Sequence, residues 1–169
     1  MPYSMYSASV PVFIKLLTNG KTWLDKANTF AEAKKFDVTV LLNSRLAPDM
    51  FSFTRQLQIA TDGAKGGVAR LAGVDVPRYE DKESTIAELH ARLDKTIAFL
   101  NGFTEAQLEG TADKEIIHPS TRGDRKFKGA DYLRYYVTPN LYFHMTTAYG
   151  ILRHNGVDLG KRDFLPIFE

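Results

Sequence analysis

Asn140 and His144 stand one helical turn apart in Ala130–Asn155, where Leu133, Val137, Ala148 and Ile151 recur at helical spacing. The shared stripe points toward a core. An amide or imidazole buried without a partner costs roughly 1–3 kcal/mol, so the pair needs hydrogen bonds or a ligand. An imidazole there can serve as a general base or as a nitrogen ligand to a metal. Asn140 offers an amide, a poor ligand for zinc or nickel. A second polar row, Arg55, Gln58, Asp62 and Lys65, runs at intervals of three, four and three residues. It reads either as a solvated face with i,i+3 and i,i+4 charge pairing, or as a face that turns Gln58 and Asp62 into a cleft. On the second reading the candidate ligand-binding set is Gln58, Asp62, Asn140 and His144. His144 and Asp62 are then the catalytic candidates, the carboxylate orienting the imidazole.

The other chemistry-bearing residues are less promising. His154 lies ten residues beyond His144, about 15 Å along a helix axis, so the two cannot share an ion. His90 flanks an amphipathic stripe and reads as a partly exposed helix residue. His118 precedes Pro119, which favours an extended backbone and a structural or surface role. No nucleophile-elbow motif is present, and the glycine-rich Gly63–Gly67 sits inside a helical pattern without phosphate-loop spacing. Absence of cysteine excludes disulfides and thiolate zinc sites, and fits a reducing cytoplasm. A net charge of +2 with scattered positives, the densest run (122–128) broken by Asp124, argues against nucleic-acid binding. No secretory signal is evident, and no apolar run approaches the ~20 residues of a membrane span. A cytoplasmic location is expected.

Four long stripes must position these residues. The first helix starts near Ser7 or Ser9, either a possible cap, with Pro11 in its first turn. Val10, Phe13, Leu17, Gly20, Leu24 and Ala27 line it, and residues 29–35 either continue it or form a short second helix. Residues 37–43 look locally strand-like but have no obvious partner, so an extended connector is expected. A second long helix is predicted over 49–72, where Ala60, Ala64, Gly66 and Gly67 permit close backbone approach and Gly73 gives the stop. A third, over 85–100, follows a possible Ser84 cap, and a short turn is expected over 104–108. Residues 114–119 and 125–128 read as a small β-excursion. Gly129 opens the last helix, Pro139 should bend it beside Asn140, and Gly156 ends it. The apolar end of the chain, 161–169, should dock on the bundle. This is an all-α four-helix bundle in a single domain spanning 1–169.

The closing run TyrGlyIleLeuArgHisAsnGly (149–156) after His144 resembles the last helix of the DinB/YfiT-like four-helix bundles. ArgGlnLeuGlnIleAla (55–60), AlaLysGly (64–66), AlaArgLeuAlaGly (69–73) and LeuGlyLysArgAspPheLeu (159–165) more closely resemble DUF1993, a family without known function in that superfamily. The resemblance implies a bundle with a divalent-metal site made by a histidine on helix two and an HxxxH pair on helix four. Some such proteins are thiol-dependent transferases or isomerases. Here His144 matches the second histidine of the pair, while Asn140 stands at the first and Gln58 near the helix-two position. The triad is thus degraded. No cofactor is expected; a divalent metal, if bound, would use His144, Asn140 and Gln58.

Three readings follow: a small-molecule binder, a metal-dependent transferase or hydrolase using His144, or a non-catalytic structural or interaction protein. In the last, Asn140 and His144 only fix helix register by bonding each other or the phenols of Tyr132, Tyr135, Tyr136, Tyr142 and Tyr149. A connected cavity reaching Asn140 and His144 favours a ligand, and a filled core favours the structural role. The tyrosines, the small-residue face and the apolar end also predict a homodimer.

Overall fold

The computed structural model describes residues 4–121 and 123–165. Its elements are α1 (Val10–Lys34), α2 (Thr39–Asn43), α3 (Phe53–Ala72), α4 (Ile86–Asn101), α5 (Glu105–Leu108), β1 (Glu115–His118), β2 (Arg125–Lys128), α6 (Gly129–Asp131), α7 (Thr138–His154) and α8 (Lys161–Phe164). Between α6 and α7, Tyr132–Val137 is wound as π-helix, so 129–154 is one continuous helix. The bundle consists of α1, α3, α4 and this last helix. α3 packs along α7 and against α4, while α1 packs along α4.

Each stripe buries what its periodicity demands. Phe13, Leu17, Trp23, Leu24 and Ala27 of α1 meet Leu57, Ala60, Ala64 and Val68 of α3 and Leu141, Met145, Ala148 and Ile151 of α7 in one core. Close approach is obligatory at Gly67, where a Cβ would lie 2.4 Å from Val137 Cγ1. The small-residue face of α3 therefore packs on the last helix, inside the protein. Gly73 ends α3 at φ 75°, the left-handed conformation that favours glycine.

Local structure departs from expectation in several places. Residues 37–43 are not extended: α2 forms because Asp37 accepts a hydrogen bond from Thr39 N at 2.8 Å and Leu41 and Leu42 reach the core. α1 runs unbroken to Lys34, and Ser9 does not cap it, its buried hydroxyl donating back to Met5 O at 2.6 Å. Ser52 caps α3, so this helix starts at Phe53 rather than at residue 49. Thr85 caps α4 in a reciprocal box with Glu88, while Ser84 also bonds Glu88. The β-excursion is an antiparallel hairpin with His118 opposite Arg125. Pro139 has no N–H for the preceding turn, and the π-helical winding lies immediately upstream of it. Phe164 stacks on Trp23 at 5.7 Å and Trp23 Nε1 donates to Asp163 O, docking the chain end; residues 166–169 of the predicted apolar tail lie outside the described residues. Among the described residues no helix is long and apolar enough to cross a membrane.

Candidate functional site

The second polar row is not a solvated face. Gln58 and Lys65 are buried, and the row packs against α4 and the irregular segment 74–84. Arg92 of α4 is the centre of this contact, its side chain only 2% exposed. Its Nε donates to Thr61 Oγ1 at 2.7 Å and its Nη2 to Gln58 O and Asp62 Oδ1 at 3.2 and 2.9 Å. Its Nη1 pairs with Asp81 and Glu83 at 2.8 and 2.9 Å. One buried cation thus fastens three carboxylates, the arrangement that makes a buried charge tolerable. Arg55 adds a second tie, donating to Asp81 Oδ2 at 2.6 Å and Gln58 Oε1 at 3.1 Å. Gln58 Nε2 donates to Glu83 Oε2 at 2.9 Å. Burial pushes the Asp81 and Glu83 carboxyls up, but their hydrogen bonds and the arginine charges outweigh it and hold both below the usual range.

Asp62 also accepts from Lys65, whose ammonium lies 4.0 Å from the centre of the Tyr79 ring. Burial lowers the affinity of Lys65 for its proton, and Asp62 acts against that trend. Beyond this pair a cleft of about 690 Å³ opens between α3, the 76–79 stretch, the hairpin and the last helix. Asp62, Lys65, Arg70, His118, Tyr136 and Asn140 line it. Tyr79, also in its wall, has a buried hydroxyl that makes no hydrogen bond among the described residues. A larger hollow of about 870 Å³, lined by Met5, Tyr6, Leu108 and Leu133 among others, contains none of the predicted site residues.

The hairpin delivers His118 to this cleft. Its Nδ1 is 3.0 Å from Tyr132 Oη and its Nε2 is 2.9 Å from Tyr136 Oη. The two phenol rings stack at 5.7 Å, one turn apart in the π-helical segment. Burial, reinforced by Arg70 and Arg125, holds His118 below its ordinary range; burial pushes Tyr132 up.

The structure therefore divides the predicted four. Asp62 and Asn140 share the cleft, and Gln58 lies behind it in the Arg92 network. His144 is elsewhere: its Nδ1 is 2.7 Å from Gln56 Oε1, and Gln56 Nε2 donates to Phe51 O. Because Gln56 thereby uses its carbonyl as acceptor, Nδ1 carries the hydrogen and the imidazole is neutral or doubly protonated. Burial and the Arg55 charge hold it below its ordinary range, which favours the neutral form. Asp62, engaged by Lys65 and Arg92, makes no hydrogen bond to His144. The donor set does not fit the three-histidine metal of the DinB-like pattern, since among the described residues no three His, Asp or Glu side chains converge to hold an ion. His90 pairs with Asp25 at 2.8 Å, apart from the other histidines.

Arg92, Asp81, Glu83, Tyr79 and the pairing of His118 with Tyr132 and Tyr136 were not legible as a site beforehand. Two signals existed: Arg92 sits three residues after Leu89 on the apolar stripe of α4, and Tyr132 and Tyr136 are spaced i,i+4.

Comparison with known proteins agrees with this architecture. The family model described as a domain of unknown function, DUF1993, matches residues 5–165. The crystal structure of a DinB family member protein from Shewanella denitrificans superposes with a TM-score of 0.90 at 47% identity, covering 97% of this chain and 94% of that one. None of the curated proteins matches the chain. A family model spanning nearly the whole chain, and a solved DinB family relative of the same fold, place this protein in the DUF1993 family of DinB-like four-helix bundles.

Proposed function

We propose that the protein binds a small molecule in the cleft between α3 and the last helix. The observation that carries this reading is the connected 690 Å³ space that reaches Asp62 and Asn140 but not His144, a volume within the range of small-molecule sites. Ile59, Val76, Pro77 and Val137 supply apolar wall, and Lys65, Arg70, His118, Tyr136 and Asn140 supply polar groups. That mixture suits a ligand held by a few directed hydrogen bonds over apolar contact. The buried Tyr79 hydroxyl, without a hydrogen-bond partner among the described residues, adds a group that a ligand could satisfy. His144 is better explained as a register-fixing core residue, because Gln56 satisfies it outside the cleft.

A thermal-shift screen of small metabolite-like compounds tests this reading, with Asn140→Phe as a variant that fills the cleft from a half-buried position. A ligand present at a hundred times its Kd stabilises the folded state by about 2.7 kcal/mol. The expected result is a shift of several degrees with wild type that Asn140→Phe abolishes while remaining folded. No stabilising compound, or equal shifts in both proteins, contradicts the proposal.

A further inference from the structure

Building on the ligand-binding reading above, we propose that Tyr136 Oη is the cleft's fixed hydrogen-bond donor and that the ligand presents an oxyanion, a carboxylate or phosphoryl group, to it. The direction follows from partners with limited choices. Arg70 can only donate, and its Nη1 reaches Tyr132 Oη at 3.4 Å. Tyr132 is 1% exposed, so its own hydrogen needs an acceptor inside the protein. Among the described residues His118 Nδ1, at 3.0 Å, is the acceptor within reach. Nδ1 therefore carries no proton, and a neutral imidazole then holds its hydrogen on Nε2. From there it donates to Tyr136 Oη at 2.9 Å. No other described residue accepts the hydrogen of Tyr136, whose side chain lines the cleft.

The ionisation tendencies agree with this chain of donors. His118 is held below its ordinary range, first by burial and then by Arg70 and Arg125, which favours the neutral imidazole. Burial raises Tyr132, which keeps the hydrogen it must give. The charges agree as well. Lys65, Arg70 and Arg78 line the cleft, while Asp62, its carboxylate, is already held by Lys65 and Arg92. Arg70 and Arg78 have no carboxylate partner among the described residues, so a bound oxyanion would complete the local charge balance.

The test combines the histidine tautomer with anion affinity. Long-range ¹H–¹⁵N NMR on ¹⁵N-histidine protein at neutral pH reads which nitrogen of His118 is protonated. Calorimetric titration with inorganic phosphate and, separately, acetate distinguishes a phosphoryl from a carboxylate ligand. Wild type should show the Nε2–H tautomer and bind one or both anions. Tyr136→Phe, which keeps the ring, should weaken that binding by about tenfold or more, the usual range for a hydrogen bond to a charged group. Tyr132→Phe should destroy the single tautomer. A pure Nδ1–H tautomer, or unchanged affinity in Tyr136→Phe, overturns the proposal. Failure of both anions to bind wild type overturns the oxyanion assignment too, and the compound screen then shows separately whether the cleft reading falls with it.

Discussion

Arg92→Met probes the main polar contact between α4, α3 and the 74–84 segment. The substitution keeps a long apolar stem but removes the group that donates to Thr61, Gln58 O and Asp62 and pairs with Asp81 and Glu83. Breaking a fully buried ion pair costs about 3–5 kcal/mol. Here the arginine is 2% exposed but Asp62, Asp81 and Glu83 are 37, 27 and 17% exposed, so water recovers part of the lost charge pairing. We therefore expect the lower end, about 3 kcal/mol at pH 7, or about 6–12 °C in Tm for a domain of this size. Urea unfolding followed by fluorescence of the one tryptophan, Trp23, buried in the core, gives the measurement. The pH dependence supplies the sharper check. Asp81 and Glu83 have folded-state values depressed below 3.8 and 4.5, so their stabilisation is present above those values and lost as pH falls through the folded ones. Wild type should thus lose stability steeply below about pH 4, and Arg92→Met should lose less, so the two curves converge in acid. A deficit under about 1 kcal/mol at pH 7, or one that is constant down to pH 3, would refute the reasoning.

His144→Ala should cost about 1–3 kcal/mol, because it strips the partner from the Gln56 carbonyl, and should leave the metal content of the purified protein unchanged; elemental analysis and urea titration together check both halves. Gln56→His, beside His144, should create zinc or nickel affinity more readily than Gln58→His, since Gln56 already touches His144 whereas Gln58 is bonded to Glu83; equal affinity in the two variants counts against the geometry. Gly67→Ala should destabilise by about 1–3 kcal/mol through its clash with Val137, while Gly110→Ala should act only through its positive φ, a contrast that thermal unfolding can read. The expected homodimer cannot use the small-residue face of α3, which packs on the last helix, and would have to cover exposed groups such as Leu46, Phe51 and Phe143; sedimentation finding only monomer at about ten micromolar would contradict it.

Much of the bundle was readable because period decides burial. Leu57, Ala60, Ala64 and Val68 had to face inward together, and a glycine run in that stripe required a close neighbour, which proved to be Val137. Hairpin and last helix were legible for similar local reasons, Gly129 and Gly156 marking the ends of the latter. The short stretch 37–43 was misread because its β-branched residues outweighed the Asp37 side chain that starts a helical turn. The site was harder. Asn140 and His144 share a stripe in sequence, but a helix face has width, and one turn separates Asn140, which lines the cleft, from His144, which bonds Gln56. Arg92 was invisible because a charged residue in an apolar stripe signifies burial only once its partners are known. Those partners lie nine to thirty-four residues away, in 58–62 and 81–83.

The claim that the cleft is the ligand site is tested most directly by mapping backbone amide shifts of the ¹⁵N-labelled protein as the best-stabilising compound is titrated in. The account predicts perturbations concentrated at Asp62, Gly63, Lys65, Arg70, Tyr79, His118, Tyr136 and Asn140, which together wall the cleft. Shifts centred instead on Gln56, Phe143 and His144, or on the hollow beside Met5 and Leu108, would contradict it.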